Sequence, residues 1–398
     1  MKDEMQNIVY CDNAASTKTR PEVIQAMLPV FEEDYGNASS LHNLGRRAKK
    51  LMSTARKQCA VLLNCLPEEI HFTSGGTESN NIAIHGTVAR AIQGGIEKKH
   101  IVSCITEHSA VYQPLQQLIK EGFEVTFLPV DSEGFIDFDR LKSSLREDTF
   151  LVSIMHANNE IGTIQDIGRI GELCSARGIT FHSDAVQSAG KIPIDLQKQK
   201  VDLLSISGHK IYGPKGIGLI YIRKGLKLDP LLYGGTQEGG FKPGTENLPG
   251  IVGLGKAVEL RLGELDQDRQ RLYRYQRQIC EGLEGIQGLI PNGPKDLNSR
   301  VPGLLNYSFE QQAGEAVVLQ LDLKGICASS GSACSEGSIE PSRVIEALYP
   351  TSRKLAFNSL RISLGHFNQD SEIPRIIEAI RAIASRANIK SDQALKVA

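Results

Sequence analysis

Lys210 is the residue of this chain best placed for covalent chemistry. It follows the run Leu203-Leu204-Ser205-Ile206-Ser207 and then Gly208-His209, with Gly213, Pro214, Gly216 and Gly218 close behind. That pattern reads as a buried strand ending in a fixed polar turn. A lysine at the lip of a buried strand is held by its scaffold. Partial desolvation lowers its pKa, so its amine can attack a carbonyl. The chemistry to expect is a Schiff base with an aldehyde; the plain alternative is a charge in a surface turn.

Other stretches decide between the two. Gly76 and Thr77, in Ser74-Gly75-Gly76-Thr77, precede a helical pattern whose free backbone N–H groups can take a phosphate, although an N-cap turn looks the same. Glu107-His108 ends another apolar run, and its imidazole could stack on a flat ring and shuttle protons. Asn158-Asn159 offers amides to a ring oxygen. Asp184, in Ser183-Asp184-Ala185-Val186-Gln187, could pair with a protonated ring nitrogen and keep a pyridine cationic. Each has a capping reading by itself. Together they match the phosphate, ring, oxygen, nitrogen and aldehyde of pyridoxal 5'-phosphate.

These residues need a scaffold that brings strand ends together. Apolar, β-branched runs recur at 69–74, 101–106, 124–130, 150–157, 179–184, 203–207 and 217–222. Helical patterns fill gaps at 78–92, 109–121, 138–146 and 166–177. The alternation predicts an α/β domain with a mostly parallel seven-stranded sheet, whose ligands sit at the carboxyl ends of its strands. A long amphipathic helix at about 249–286 leads to a smaller α+β region. The expected division is a large cofactor-binding domain over 17–260, with 1–16 and 261–398 forming the small domain.

The 398 residues are ample for two cores, and 40% hydrophobic with 23% charged is ordinary for a globular protein. A net charge of −1 gives no global field for nucleic acid or an acidic membrane. The N-terminal MKDEMQN resembles no targeting segment, and no apolar run approaches the ~20 residues of a membrane span. None of the eight cysteines forms a CxxC pair, so no zinc or thioredoxin-like motif is expected. Cys59, Cys65, Cys104 and Cys174 read as reduced core residues, which suits a cytoplasmic enzyme.

The last stretch is SSGSACSEGSIEPS, 329–342. It is long enough for a functional, mobile loop, and Cys334 sits in its middle among small residues. With it the chain resembles the cysteine desulfurases of the NifS/IscS type, class-V aminotransferase-like enzymes of PLP fold type I. The resemblance runs from YCDNAAST through GNASSLHNLGRRA, FTSGGTESNN, TEHSAV, HANNEIG, HSDAVQSAGK, SISGHKIYGPKGIG and PGTEN to SSGSACSEGSIEPS and SLRISLG. It implies that Lys210 carries the cofactor and that Gly76, Thr77, Ser207 and His209 hold its phosphate, with Thr245 reaching in from a second subunit. Asp184 would pair with the ring nitrogen, Gln187 and Asn159 would bond the ring oxygen and its surroundings, and His108 would stack and move protons. Arg361 would grip the substrate carboxylate, and Cys334 would be the nucleophile.

The implied reaction converts L-cysteine to L-alanine and leaves the sulfur as a Cys334 persulfide. A homodimer would hand that sulfur to an acceptor protein, such as an iron–sulfur scaffold. The alternative is a selenocysteine lyase or another class-V PLP transferase. Two positions depart from the family pattern: Lys242 stands where relatives carry Arg before the PGTEN stretch, and His366-Phe367 where many have Arg-Phe.

Overall fold

The computed structural model describes residues 8–95, 99–331 and 340–397, with side chains through 386. Cys334 lies outside the described residues.

In chain order the elements are β1 (Val9–Tyr10), α1 (Pro21–Glu32), α2 (Asn43–Leu63), β2 (Ile70–Thr73), α3 (Gly76–Gln93), β3 (His100–Cys104), α4 (Ser109–Lys120), β4 (Glu124–Leu128), α5 (Phe138–Ser144), β5 (Thr149–Ser153), α6 (Ile167–Ala176), β6 (Thr180–Asp184), α7 (Leu196–Gln199), β7 (Leu203–Ser207) and β8 (Gly218–Ile222). Then come α8 (Leu248–Leu283), β9 (Leu289–Asn292), β10 (Leu304–Phe309), α9 (Gly314–Asp322), β11 (Ile326–Cys327), β12 (Ser329–Ser330), α10 (Arg343–Leu348), α11 (Arg353–Phe357), β13 (Ser359–Ser363) and α12 (Glu372–Val397).

The seven expected strands form one sheet in the order β2-β8-β7-β6-β5-β3-β4. Only β8 runs against its neighbours β2 and β7; the rest are parallel. Parallel strands buried on both faces demand continuous apolar runs. Strands β3, β5, β7 and β8 are buried at every position. Strand β5 stops at Ser153, short of the expected 157, and β3 stops at Cys104, short of 106. Asn158 and His108 therefore sit in connections beyond the strands, where backbone can turn toward a ligand.

Helix α8 joins two cores. Its first half places Leu248, Ile251, Leu254 and Val258 on the large-sheet core. Its second half gives Leu272, Tyr275, Ile279 and Leu283 to the core around β10 and β13. The spacing keeps one apolar face along the helix, and the Asn247 side chain caps its start by accepting from Gly250 N at 3.1 Å.

Between the two cores the seam is ionic. Arg261 pairs with Asp268, Arg271 Nη2 lies 2.8 Å from Asp268 Oδ1, and Arg20 Nη1 lies 2.5 Å from Glu264 Oε2. His366 joins it with Nδ1 at 2.9 Å from Asp268 Oδ2. Glu264, Asp268 and His366 cluster closely enough to suggest a cation site, but three guanidiniums already occupy the carboxylates. Charges partnered in this way fix one docking geometry more than they add stability.

The second sheet runs β12-β13-β10-β9, all antiparallel, and a two-stranded pair joins β1 to β11. The start of the 329–342 stretch is thus strand, not loop: Ser329 pairs with Arg361 and Ser330 with Leu360. Cys59, Cys104 and Cys174 are buried and unpaired, and Cys65 is half-buried. Burial pushes each of these thiols up to about 12. Among the described residues no helix is long and apolar enough to cross a membrane.

Candidate active site

A cavity of about 870 Å³ opens at the carboxyl ends of β3, β5, β6 and β7. It is lined by Gly76, Thr77, His108, Asn159, Asp184, Gln187, Ser207, His209, Lys210 and Arg361, bringing together ten of the expected site residues. Thr245 is exposed and does not line it.

Lys210 sits in a short helical turn directly after β7. Its Nζ donates to the carbonyls of Ala14 at 2.5 Å and Ala15 at 2.6 Å. Burial and then the Arg361 cation lower its pKa to about 8, against the opposing pull of Asp12 and Asp184. An amine in that range is deprotonated often enough at neutral pH to act as a nucleophile or base.

Asp184 ends β6 and is almost fully buried. Asn80 Nδ2 donates to its Oδ2 at 2.7 Å, and Val186 N to its Oδ1 at 2.9 Å. Two donors anchor the carboxylate, and each oxygen keeps a lone pair for a further donor.

His108 caps α4, its Nδ1 accepting from Ala110 N at 3.1 Å. That bond puts the neutral ring's proton on Nε2. The ring is exposed to the cavity but surrounded by protein. Burial lowers its pKa, Lys210, Arg343 and Arg361 add to the shift, and Asp184 opposes it.

Gly76 opens α3, with N–H groups that have no partner inside the helix. A Cβ on Gly76 would lie 2.7 Å from Val186 Cγ2, and one on Gly218 would lie 2.7 Å from Gly75 Cα. The missing side chains let this turn pack against β7 and β8. Around the turn, Ser16, Ser74, Thr77, Ser207, His209 and Lys215 line a smaller recess. His209 Nδ1 lies 3.2 Å from Ser16 Oγ, and burial followed by the nearby lysines lowers its pKa to about 4. Hydroxyls, free N–H groups and an exposed lysine suit a phosphate. The donor set therefore fits pyridoxal phosphate, from this recess through Asp184 to Lys210.

On the other side, Arg361 is held by Asp12 Oδ1 at 2.9 Å and the Asn159 carbonyl at 3.0 Å, while its buried Nε has no hydrogen-bond partner among the described residues. Asn158 turns inward instead: its Oδ1 accepts from the N–H groups of Glu160 and Ile161. That turn delivers Asn159 to the cavity.

Several lining residues carried no sequence signal for a role. Asn80 steadies Asp184. Glu107 is buried, its Oε1 accepts from Met155 N at 2.6 Å, and its Oε2 has no partner among the described residues. Burial and then Asp184 raise its pKa well above the usual carboxylate value. Glu160 accepts from Ser342 Oγ at 2.5 Å, and burial raises it to about 7. Lys242 pairs with Glu78 at 3.2 Å, in the first turn of α3.

The class-V aminotransferase family profile matches residues 9–376. Cysteine desulfurase IscS of Dictyoglomus turgidum is 46% identical over 388 residues, covering 96% of this chain and 97% of that protein. IscS of Methanosarcina thermophila is also 46% identical, covering 95% and 92%. A solved NifS-like protein superposes with a TM-score of 0.87 at 36% identity, covering 95% of this chain and 99% of its own. The strand-end residues, the fold around them and these near full-length likenesses agree: the chain belongs to the class-V aminotransferases, among the cysteine desulfurases of the NifS/IscS type.

Proposed function

We propose that this chain is a pyridoxal-phosphate-dependent cysteine desulfurase, converting L-cysteine to L-alanine and holding the sulfur as a persulfide on Cys334. The observation that carries the reading is Lys210: a half-buried amine, lowered to about 8, in a cavity it shares with Asp184 and Arg361. Pyridoxal phosphate supplies an aldehyde that condenses with amines and a ring that accepts an electron pair from the substrate's α-carbon.

The protein's own residues do the rest. Gly76, Thr77, Ser207 and His209 would hold the phosphate, with Thr245 contributed by a second copy. Asp184 would keep the ring nitrogen protonated, and Gln187 and Asn159 would bond the ring oxygen and its surroundings. His108, its proton on Nε2, would stack on the ring and move protons. Arg361, which lines the cavity, offers its guanidinium to the substrate carboxylate, which would orient the α-carbon. Lys210 Nζ accepts the α-proton. The Cys334 thiolate would attack the substrate sulfur, forming the S–S bond as the C–S bond breaks with its pair going to the β-carbon; protonation of the β-carbon and return of a proton to the α-carbon would give alanine.

Two surfaces support the partners in this reading. On and after α1, Ile24, Leu28, Phe31, Tyr35 and Leu41 are exposed apolar residues suited to a second copy of the chain. Leu319, exposed at the cavity, and Leu323, exposed just after α9, suit a protein acceptor of the sulfur. The domain division belongs to the same reading: the seven-stranded sheet falls within 17–260 and the small sheets outside it. A cytoplasmic location accords with the absence, among the described residues, of a membrane-spanning helix.

The test is to incubate purified protein with L-cysteine and a reductant, after recording its absorption spectrum. Equal yields of alanine and sulfide from a yellow protein are expected. A yellow protein that makes neither, but releases alanine from selenocysteine, would replace this reading with a selenocysteine lyase.

A further inference from the structure

The hydrogen bonds behind Lys210 lead to a second lysine, Lys191, which closes the stretch HSDAVQSAGK. Lys191 Nζ donates to Gln187 Oε1 at 2.8 Å. Gln187 Nε2 donates to the Ala14 carbonyl at 2.8 Å, and Lys210 Nζ donates to that same carbonyl at 2.5 Å. Gln187 is buried and lines the cavity.

An amide can sit in its slot two ways, with oxygen and nitrogen exchanged. Here only one way works. Flipped, the NH2 group would face the Lys191 amine and the oxygen would face the Ala14 carbonyl, replacing two attractions by two repulsions. In the observed orientation Ala14 takes one of the two Nε2 hydrogens and leaves the other available. We propose that Lys191 is a positioning residue, which locks the Gln187 amide so that it presents N–H, not carbonyl oxygen, to the ring oxygen of pyridoxal phosphate.

The setting of Lys191 supports this role. Its charged neighbours are Lys210, Arg361 and Arg261, all cations, and burial followed by these three lowers its pKa to about 7. A lysine kept only to fill space would be poorly placed among them. Neutral or charged, the amine still donates to Gln187; the charged form refuses the flipped NH2 outright, and in either form the Ala14 carbonyl, which can only accept, opposes the flip.

The inference rests on the pyridoxal phosphate reading, and one experiment separates the two. Apo-protein is titrated with pyridoxal phosphate, and the pH midpoint of the bound cofactor's absorption is recorded for parent, K191M, K191Q, Q187A and Q187A/K191M. In K191M the cofactor's dissociation constant is expected to rise about tenfold and the midpoint by about 0.5–1 unit, because a ring oxygen without its donor holds the neighbouring proton more tightly. K191Q keeps an N–H donor without charge, so it should retain the parent midpoint. On the Q187A background, K191M should add almost nothing.

A parent that binds no pyridoxal phosphate would sink the cofactor reading and this inference with it. A binding parent whose K191M variant loses only Tm, with midpoint and dissociation constant unchanged, overturns the inference alone. So does an equal shift on both backgrounds, which would mean that Lys191 acts by charge. Should K191M not fold, a full midpoint shift in K191Q overturns it equally.

Discussion

The two walls of the cavity are built differently. One comes from strand ends of a single, mostly parallel sheet: Asp184 ends β6, and His108 and Lys210 follow β3 and β7, with Asn80 and Glu107 packed behind them. The other is assembled from distant pieces: Asp12, Asn159, Arg361 on β13, and the Glu160–Ser342 bond. In the first wall, one buried sheet fixes the strand ends from which the side chains project. In the second, Arg361 is itself laddered between Asn306 and Ser329, but Asp12, Asn159 and Ser342 come from separate segments tied together by charged and hydroxyl contacts. A wall from one sheet suits the cofactor, whose position must not vary, and a wall that joins several segments suits a substrate that comes and goes.

Substitutions can break this contrast. Lys210→Ala should abolish the yellow absorption left after free cofactor is removed, and lower turnover by roughly 10³-fold or more. Retention of the band would detach Lys210 from the first wall's chemistry. Cys334→Ala should keep the band and lose persulfide formation; near-normal sulfide release would mean another nucleophile. Arg361→Lys on the second wall should leave the cofactor spectrum intact and lower kcat/KM by about 10–100-fold, the worth of a charge-assisted pair at about 1.5–3 kcal/mol. An equal loss of cofactor affinity would show that the walls are not separable.

Glu160 sharpens the contrast through pH. Burial raises it from 4.5 to about 7 in the folded protein, so the native state keeps a proton that the unfolded chain releases earlier. Its contribution to stability is full below about 4.5 and lost as pH rises through about 7. Glu160→Gln should flatten the fall in Tm across that window. Ser342→Ala removes a bond that favours the carboxylate and should move the window upward. The smallest effect is expected from Lys242→Ala, whose partly exposed pair with Glu78 contributes under about 1 kcal/mol. Cofactor affinity in that variant should stay within about threefold of the parent.

The first wall was more legible in the sequence than the second. Apolar runs announce strands, and a polar residue after such a run must sit at a strand end, so His108, Asp184 and Lys210 could be read locally. Arg361 carried no local signal beyond its likeness to a family. Its partner Asp12 is 349 residues away, and pairing across that distance leaves no periodicity. The carbonyls of Ala14 and Ala15, which receive Lys210, are backbone atoms and invisible to any reading of residue types. The reversed direction of β8 was hidden for a related reason: a strand buried on both faces looks the same either way.

The pairing of β1 with β11, and of Asn13 with the carbonyl of Ser363 at 2.9 Å across 350 residues, bears on how the molecule is made. The chain is synthesised from its N-terminus, so the segment that receives Lys210 emerges long before its last partner, Ser363. At roughly 5–20 residues per second it waits on the order of 20–70 seconds. The parallel sheet can form in that interval and take up Ala14 and Thr17 through Gln187 and His209, but the bonds of Asn13 and Ala14 to Ser363 cannot form until β13 has left the ribosome. Loading of the cofactor in its final geometry is therefore an event of the finished chain, and a protein cut short before β13 would carry every strand-end residue without a completed site.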